Sequence, residues 1–299
     1  MSEVMSRRSF LKHAGVGAAC AAATGIAVQP VLASDQAATD SWGILVDLTR
    51  CNGCDSCALA CKEFNQRSDP TVVPTELSSD AYTFVDRRET VSAAGIEQQV
   101  PVKRQCMHCL HPACVSACTV GALTKSPDGP VVYNSDKCIG CRYCQYACPF
   151  GVPSYDWENP LGLIHKCQFC ISRLEEGQKP ACVAGCPTGA LRFGRRDTLL
   201  AQAHAQINTN AGRYIDQVYG EMEAGGTSVL YLSGAPFAAM GLPALGSQAP
   251  SHYAEAMMKK TPVIGLTVAA LASGVYWMAK RREFLAQPQV VAEEVSHDS

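Results

Sequence analysis

The chain has 299 residues and a formal net charge of −2, which allows one or two domains of ordinary size and argues against a nucleic-acid surface or an acidic tail. Seventeen cysteines are far above average usage, yet the chain is too long for a small secreted scaffold held by disulfides. Metal is therefore the first expectation, and the cysteine spacing must test it.

The N-terminus, residues 1–33, reads as a targeting segment. Ser6-Arg7-Arg8-Ser9-Phe10-Leu11-Lys12 carries a twin arginine, a mildly apolar run follows from Ala14 to Val28, and Val31-Leu32-Ala33 is a small-residue site with the cut expected before Ser34. The twin-arginine route exports proteins already folded around their cofactors. Cys20 falls inside this segment, without the Leu of a lipoprotein signal, and is read as a bystander.

Residues 34–195 form the cysteine-bearing domain. Ser41 to Leu48 is predicted to be a short strand feeding the first cysteine loop. Residues 62–105 contain no cysteine and read as an insertion. In it, Tyr82 to Val91 and Ile96 to Arg104 are β-rich runs joined by Ala93-Ala94-Gly95, which predicts a hairpin. Cys106 to Cys118, then Gly121-Ala122-Leu123-Thr124, a turn at Ser126-Pro127-Asp128-Gly129 and Val131-Val132-Tyr133 lead into Cys138. Cys186-Pro187-Thr188-Gly189-Ala190-Leu191 echoes Cys118-Thr119-Val120-Gly121-Ala122-Leu123, the trace of a duplicated unit.

Sixteen of the seventeen cysteines fall into four ordered quartets. Cys138, Cys141, Cys144 and Cys148, with Pro149 next, give C-x2-C-x2-C-x3-C-P, a run by which [4Fe–4S] clusters are held. Cys51, Cys54, Cys57 and Cys61 repeat the spacing. Cys106, Cys109, Cys114 and Cys118 stretch one gap to x4, and Cys167, Cys170, Cys182 and Cys186 stretch it to x11. The fourth cysteine of such a run ligates a different cluster, so each run implies a partner run. Disulfides are the plain alternative for an exported protein, but cysteines this close cannot bridge one another without strain. Four-cysteine zinc sites usually come as two separated C-x2-C knuckles instead.

Residues 196–258 carry no cysteine: Asp197 to Ile207 has helical composition, and Thr227 to Ser233 is β-like after Gly225-Gly226. Pro236, Pro243 and Pro250 mark an extended segment hugging the surface. Residues 259–282 are a membrane span with its flanks. Thr261 to Ala279 is free of charge and, at 1.5 Å per residue, spans roughly 28 Å, about one hydrocarbon core. Tyr276 and Trp277 sit at one end as interface anchors. Lys280, Arg281 and Arg282 would place the tail, residues 283–299, in the cytoplasm, while Lys259 and Lys260 weaken that rule, so orientation rests on the export signal.

These motifs, with Lys103-Arg104-Gln105-Cys106-Met107-His108-Cys109, Pro149-Phe150-Gly151-Val152-Pro153 and Gly225-Gly226-Thr227-Ser228-Val229-Leu230, resemble the four-cluster iron–sulfur β-subunits of formate dehydrogenase, dimethyl sulfoxide reductase and their relatives. The resemblance covers the chain from about Ser41 and is strongest to the iron–sulfur subunit of hydrogenase-2-type uptake hydrogenases, which joins its own twin-arginine signal to a C-terminal membrane helix. Formate dehydrogenase β-subunits typically travel on a partner's signal.

The resemblance implies an α+β fold of duplicated bacterial-ferredoxin-like domains carrying four [4Fe–4S] clusters, plus the C-terminal helix. It implies nested ligand sets: Cys51, Cys54, Cys57 with Cys186; Cys167, Cys170, Cys182 with Cys61; Cys106, Cys109, Cys114 with Cys148; Cys138, Cys141, Cys144 with Cys118. Lys62 and Thr119 replace the Pro that often follows a fourth cysteine, which bears on loop geometry and not on ligation.

The function implied is electron relay on the periplasmic face of the cytoplasmic membrane. The partners are a catalytic subunit, [NiFe] hydrogenase or a molybdenum or tungsten enzyme, and a cytochrome b or other quinone-binding membrane subunit. No catalytic constellation of the chain's own is expected. A metal-stabilised interaction module without redox chemistry is the alternative of another class. Lys103, Arg104, Lys137, Arg142 and Lys166 are candidates for tuning cluster potentials, against a plain role as solvated charges. Tyr143, Tyr146, Phe150 and Phe169 are expected to exclude water, and His108 and His111 to serve as hydrogen-bond donors and not ligands. The span contains no His to hold a haem, and His252 stands just outside it.

Overall fold

The computed structural model describes residues 41–91, 97–159 and 162–286. The signal segment with Cys20, the turn at Ala93-Ala94-Gly95 and most of the C-terminal tail lie outside the described residues.

Strand β1 (Trp42–Asp47) is the central strand of the three-stranded sheet. It pairs antiparallel with β8 (Leu191–Arg195), Val46 opposite Leu191, and parallel with β9 (Val229–Leu232), Ile44 opposite Val229. Side chains alternate across a strand, so Ile44 and Val46 face the cysteine-rich core beside Val229 and Tyr231. Leu45, Leu230 and Leu232 face the other way, onto Leu199, Ala203 and Ile207 of α6 (Arg196–Thr209). Burial on both faces is why Ile44-Leu45-Val46 reads as an unbroken apolar run.

The expected hairpin is present as β2 (Thr83–Val91) and β3 (Glu97–Gln105), in register from Thr83–Gln105 to Val91–Glu97. Its inner side chains Val100 and Val102 join the same core as Ile44, and β3 runs directly into Cys106. A second small core gathers Leu123 of β4 (Leu123–Lys125), Val131 of β5 (Val131–Tyr133) and Ile164 of β7 (Ile164–His165), which pairs with β6 (Ser154–Tyr155).

The duplicated unit is visible in the pairing. β1 leads into the Cys51 loop and pairs with β8, which follows Cys186; β5 leads toward the Cys138 loop and pairs with β4, which follows Cys118. One arrangement thus serves the outer pair of quartets and the inner pair alike. Short helices follow each loop: α1 (Ser56–Phe64), α2 (Ala113–Ser116), α3 (Tyr143–Ala147), and α4 (Ile171–Glu175) with α5 (Ala181–Ala184).

The proline-marked segment is less superficial than its composition predicts. Ala235, Phe237, Met240 and Leu242 enter the main core, where a 3-10 turn over Phe237–Met240 follows Pro236 and ends at left-handed Gly241. After it, α7 (Pro250–Ala286) is one helix of 37 residues, far longer than the uncharged stretch. It is long and apolar enough to cross a membrane, and none of its most apolar window is buried. Its root meets the cysteine region where Ser116 Oγ donates to Glu255 Oε1 at 3.5 Å.

Candidate metal centres

Each quartet folds around the same backbone feature. The residue before the second cysteine is left-handed in all four loops: Gly53 (φ 72°), His108 (φ 46°), Gly140 (φ 67°) and Phe169 (φ 61°). This reversal turns the second cysteine back over the first. The fourth cysteine closes a turn in three quartets, with Gly121, Gly151 and Gly189 amides donating to the carbonyls of Cys118 (3.3 Å), Cys148 (3.2 Å) and Cys186 (3.4 Å). Thr119 therefore leaves the turn unchanged. The first quartet departs: Cys61 lies within α1, and buried Lys62 reaches Asp80 at 3.1 Å.

The sulfur atoms are met by donors. Backbone amides of Ala122, Gly140 and Phe169 donate to the sulfurs of Cys118 (3.2 Å), Cys138 (3.4 Å) and Cys167 (3.3 Å), and Asn65 Nδ2 donates to Cys61 at 3.4 Å. Such donors favour the thiolate. Burial opposes it, pushing the Cys57 and Cys144 thiols up to about 11 and those of Cys61 and Cys114 up to about 12. Cys186 is lowered: burial raises it, but amides of Leu191 and Ala190 and the Thr188 hydroxyl outweigh burial. Buried thiols supplied with donors but held protonated are what a cationic metal core would ionise.

Electrostatic neighbours cross the quartets. Cys51 feels Cys186, and Cys57 feels Cys182 and Cys186. Cys61 feels Cys182 and Cys170. Cys109 feels Cys106, Cys148 and Cys114, while Cys144 feels Cys118, Cys138 and Cys141. Electrostatic neighbours also link one group to the next: Cys57 with Cys182, Cys167 with Cys106, and Cys114 with Cys144. The sixteen cysteines are unbridged. Among the described residues no three Cys, His, Asp or Glu groups converge on one ion-sized point.

A 4Fe-4S dicluster domain matches residues 98–196, and a twin-arginine translocation signal sequence matches residues 4–24. Hydrogenase-2 operon protein HybA of Escherichia coli O157:H7 is 36% identical over 277 residues, covering 81% of this chain and 84% of that protein. The chain belongs to the HybA family. A protein from Nitratidesulfovibrio vulgaris is 42% identical over 308 residues, covering 98% of this chain and 82% of its own length. The nitrate-inducible formate dehydrogenase iron-sulfur subunit of Escherichia coli K12 is 35% identical over 198 residues, covering 63% of this chain and 66% of the subunit. The chain is thus an iron–sulfur electron-transfer protein of ferredoxin-like, mixed helix and strand construction.

Family membership gives the charges around the quartets a meaning. Of the five cations named from sequence, Lys103 and Lys166 are buried, at 1% and 2% exposure, while Lys137 is exposed. Lys103 Nζ donates to Thr83 Oγ1 at 2.7 Å and to Gln105 Oε1. Burial alone would lower its ammonium; Cys182 and Cys57, when ionised, more than reverse this and hold it raised. Lys166 Nζ donates to the Val131 and Cys167 carbonyls at 2.6 and 2.7 Å. Sequence reasoning missed Lys125, whose Nζ donates to the Cys109 carbonyl at 2.8 Å. Its place directly before the turn at Ser126 was the signal that could have found it.

The aromatic expectation divides. Phe169 is buried and Phe150 packs on the main core, but Tyr143 and Tyr146 are exposed, at 58% and 84%. α3 is too short to bury both its faces, so its tyrosines point outward beside exposed Cys141. His111 and His252 are exposed, whereas His108 is buried.

Proposed function

We propose that this chain carries four [4Fe–4S] clusters and relays electrons between a periplasmic [NiFe] hydrogenase catalytic subunit and a quinone-reactive membrane partner. It has no substrate site of its own in this reading. The observation that carries the hydrogenase partner is the similarity to HybA along 84% of that protein, together with the twin-arginine match. Formate dehydrogenase iron-sulfur subunits cover less of the chain. They support the second reading, a molybdenum or tungsten enzyme as partner.

The proposed ligand sets are those of the nested scheme: Cys51, Cys54, Cys57, Cys186; Cys167, Cys170, Cys182, Cys61; Cys106, Cys109, Cys114, Cys148; and Cys138, Cys141, Cys144, Cys118. The cross-quartet neighbours and the strand pairs β1–β8 and β4–β5 support them. When bound, each cluster takes up and releases one electron.

What the chain contributes is placement, insulation and charge. Exposed Cys54 and Cys141 belong to the two ends of the line of neighbours, so electrons would enter at one and leave at the other. The root of α7 beside Ser116 supports the Cys141 end as the membrane-facing one. Buried Phe169, Met107 and Val183 exclude water between the ends.

Anaerobic purification tests this reading. About sixteen irons and sixteen acid-labile sulfides per chain are expected for four cubanes. Zinc without sulfide would remove the redox role. Nickel in the co-purified complex, and not molybdenum or tungsten, is expected from a hydrogenase partner.

A further inference from the structure

Four equivalent backbone positions carry two glycines, one phenylalanine and one histidine. Gly53 and Gly140 adopt the left-handed conformation freely, whereas His108 and Phe169 hold it with a side chain, which L-residues resist. Phe169, 1% exposed, is repaid by apolar burial. His108 is as deeply buried but polar, so burial alone does not account for it.

Its hydrogen bonding defines the ring. The Val131 amide of β5 donates to His108 Nδ1 at 3.0 Å. A backbone N–H only donates, so Nδ1 carries no proton and the ring proton sits on Nε2. That Nε2–H is buried and has no partner among the described residues. Its surroundings supply further donors. Lys125 Nζ lies 2.8 Å from the Cys109 carbonyl and 3.5 Å from that of His108, and Lys166 Nζ holds the Val131 carbonyl. Phe169 closes one side with an edge-on ring, centroids 4.7 Å apart. An unpaired N–H among ammonium groups calls for an anionic acceptor, and a thiolate-ligated iron–sulfur core is anionic.

We infer that His108 Nε2–H donates a hydrogen bond to a sulfur of the cluster held by Cys106, Cys109, Cys114 and Cys148, and thereby raises that cluster's reduction potential. The inference rests on the ligand set proposed above. A donor to sulfur favours the reduced, more negative state. His108 is a positioning and tuning residue, not a ligand.

The test is redox potentiometry followed by electron paramagnetic resonance on the anaerobic, full-length complex. His108→Phe keeps the ring and deletes the donor, while His108→Gln keeps an N–H near Nε2. In His108→Phe the reduced-to-oxidised ratio of one cluster at fixed ambient potential should fall about tenfold, equal to 59 mV for one electron. The other three clusters and the iron content should stay unchanged, and His108→Gln should recover most of the loss. An unshifted cluster with full iron would overturn the inference and leave the N–H to the Phe169 ring.

Pulsed resonance on wild-type protein labelled with [15N]histidine decides the case even if a variant fails to fold. A histidine nitrogen coupled to one reduced cluster is expected, and no coupling would also overturn the inference. Failure of the ligand set is distinct: it would appear as missing iron or sulfide in the wild-type protein.

Discussion

Tyr231 donates from its hydroxyl to the carbonyl oxygen of Lys103 at 2.7 Å, both side chains being fully buried. This bond joins β9, late in the chain, to β3 at the mouth of the Cys106 loop. Thr227 adds a bridge to Cys109, and the Ser228 amide donates to the Met107 carbonyl at 3.1 Å. The segment after the last cysteine therefore clamps a loop more than a hundred residues earlier. Tyr231→Phe should leave the Lys103 carbonyl unpaired and cost about 1–3 kcal/mol. Anaerobic thermal unfolding of the two proteins side by side measures it, with an unchanged melting temperature counting against the clamp.

Ligand exchange between quartets is checked by iron counting alone. Cys148→Ala should lower iron by about one cubane. Adding Cys106→Ala should remove no more, because both changes strike the same cluster. Adding Cys138→Ala instead should remove a second cluster. Equal losses in the two double variants would refute the proposed exchange.

Two glycines with positive φ should respond differently to alanine. At Gly151 (φ 64°) nothing lies within 4 Å of an added Cβ, so Gly151→Ala should cost about 1–2 kcal/mol through the backbone alone. At Gly129 (φ 107°) the same atom would stand 2.4 Å from Ser41 Cβ, beside the Trp42 amide's 2.8 Å bond to Asp128. Gly129→Ala should be clearly the more damaging of the two. Comparison of melting temperatures, with Gly151→Asn as a control that tolerates left-handed backbone, tests this.

Asp80 predicts a pH dependence in the segment before the hairpin. Burial raises its carboxyl, but the Ser68 hydroxyl, the Lys62 ammonium and the Ser68 amide at 2.6 Å outweigh that and hold it below the ordinary value. A depressed carboxyl contributes stability above its unfolded pKa of about 3.9, lost as pH falls through the folded value. Hydrogen exchange of residues 66–79, corrected for the intrinsic rate, should therefore rise only below about pH 4. Asp80→Asn should show the faster exchange already at neutral pH and lose the dependence.

Truncation before Pro250 tests the anchor. The apolar side chains of α7 are bare, Leu266 at 73% and Leu271 at 66%, so removal should not open the main core. The shortened protein should leave the membrane fraction while retaining its iron. Persistent membrane association without α7 would assign the anchor to another surface.

Cysteine spacing determined the kind of metal centre from local geometry alone. Cysteines spaced two residues apart turn their thiols toward one shared site, so the quartets were legible without a fold. Strands and helices with clear patterning, such as β1, the β2–β3 hairpin and α6, were equally legible, as was the uncharged stretch of α7. Burial of individual polar groups was not. Lys103 and Lys137 are the same residue type near a cysteine loop, yet one is enclosed by Thr83, Gln105 and Tyr231 and the other is exposed. Tyr143 and Phe169 likewise stand next to quartet cysteines, yet Tyr143 is exposed and Phe169 buried. These differences arise from residues distant in the chain closing over one site and leaving another open. The same long-range closure orients the His108 ring through the amide of Val131, twenty-three positions on. Sequence singled out the sixteen cysteines as candidates; only tertiary packing decided which charges and donors surround them, because desolvation depends on what the whole chain brings together.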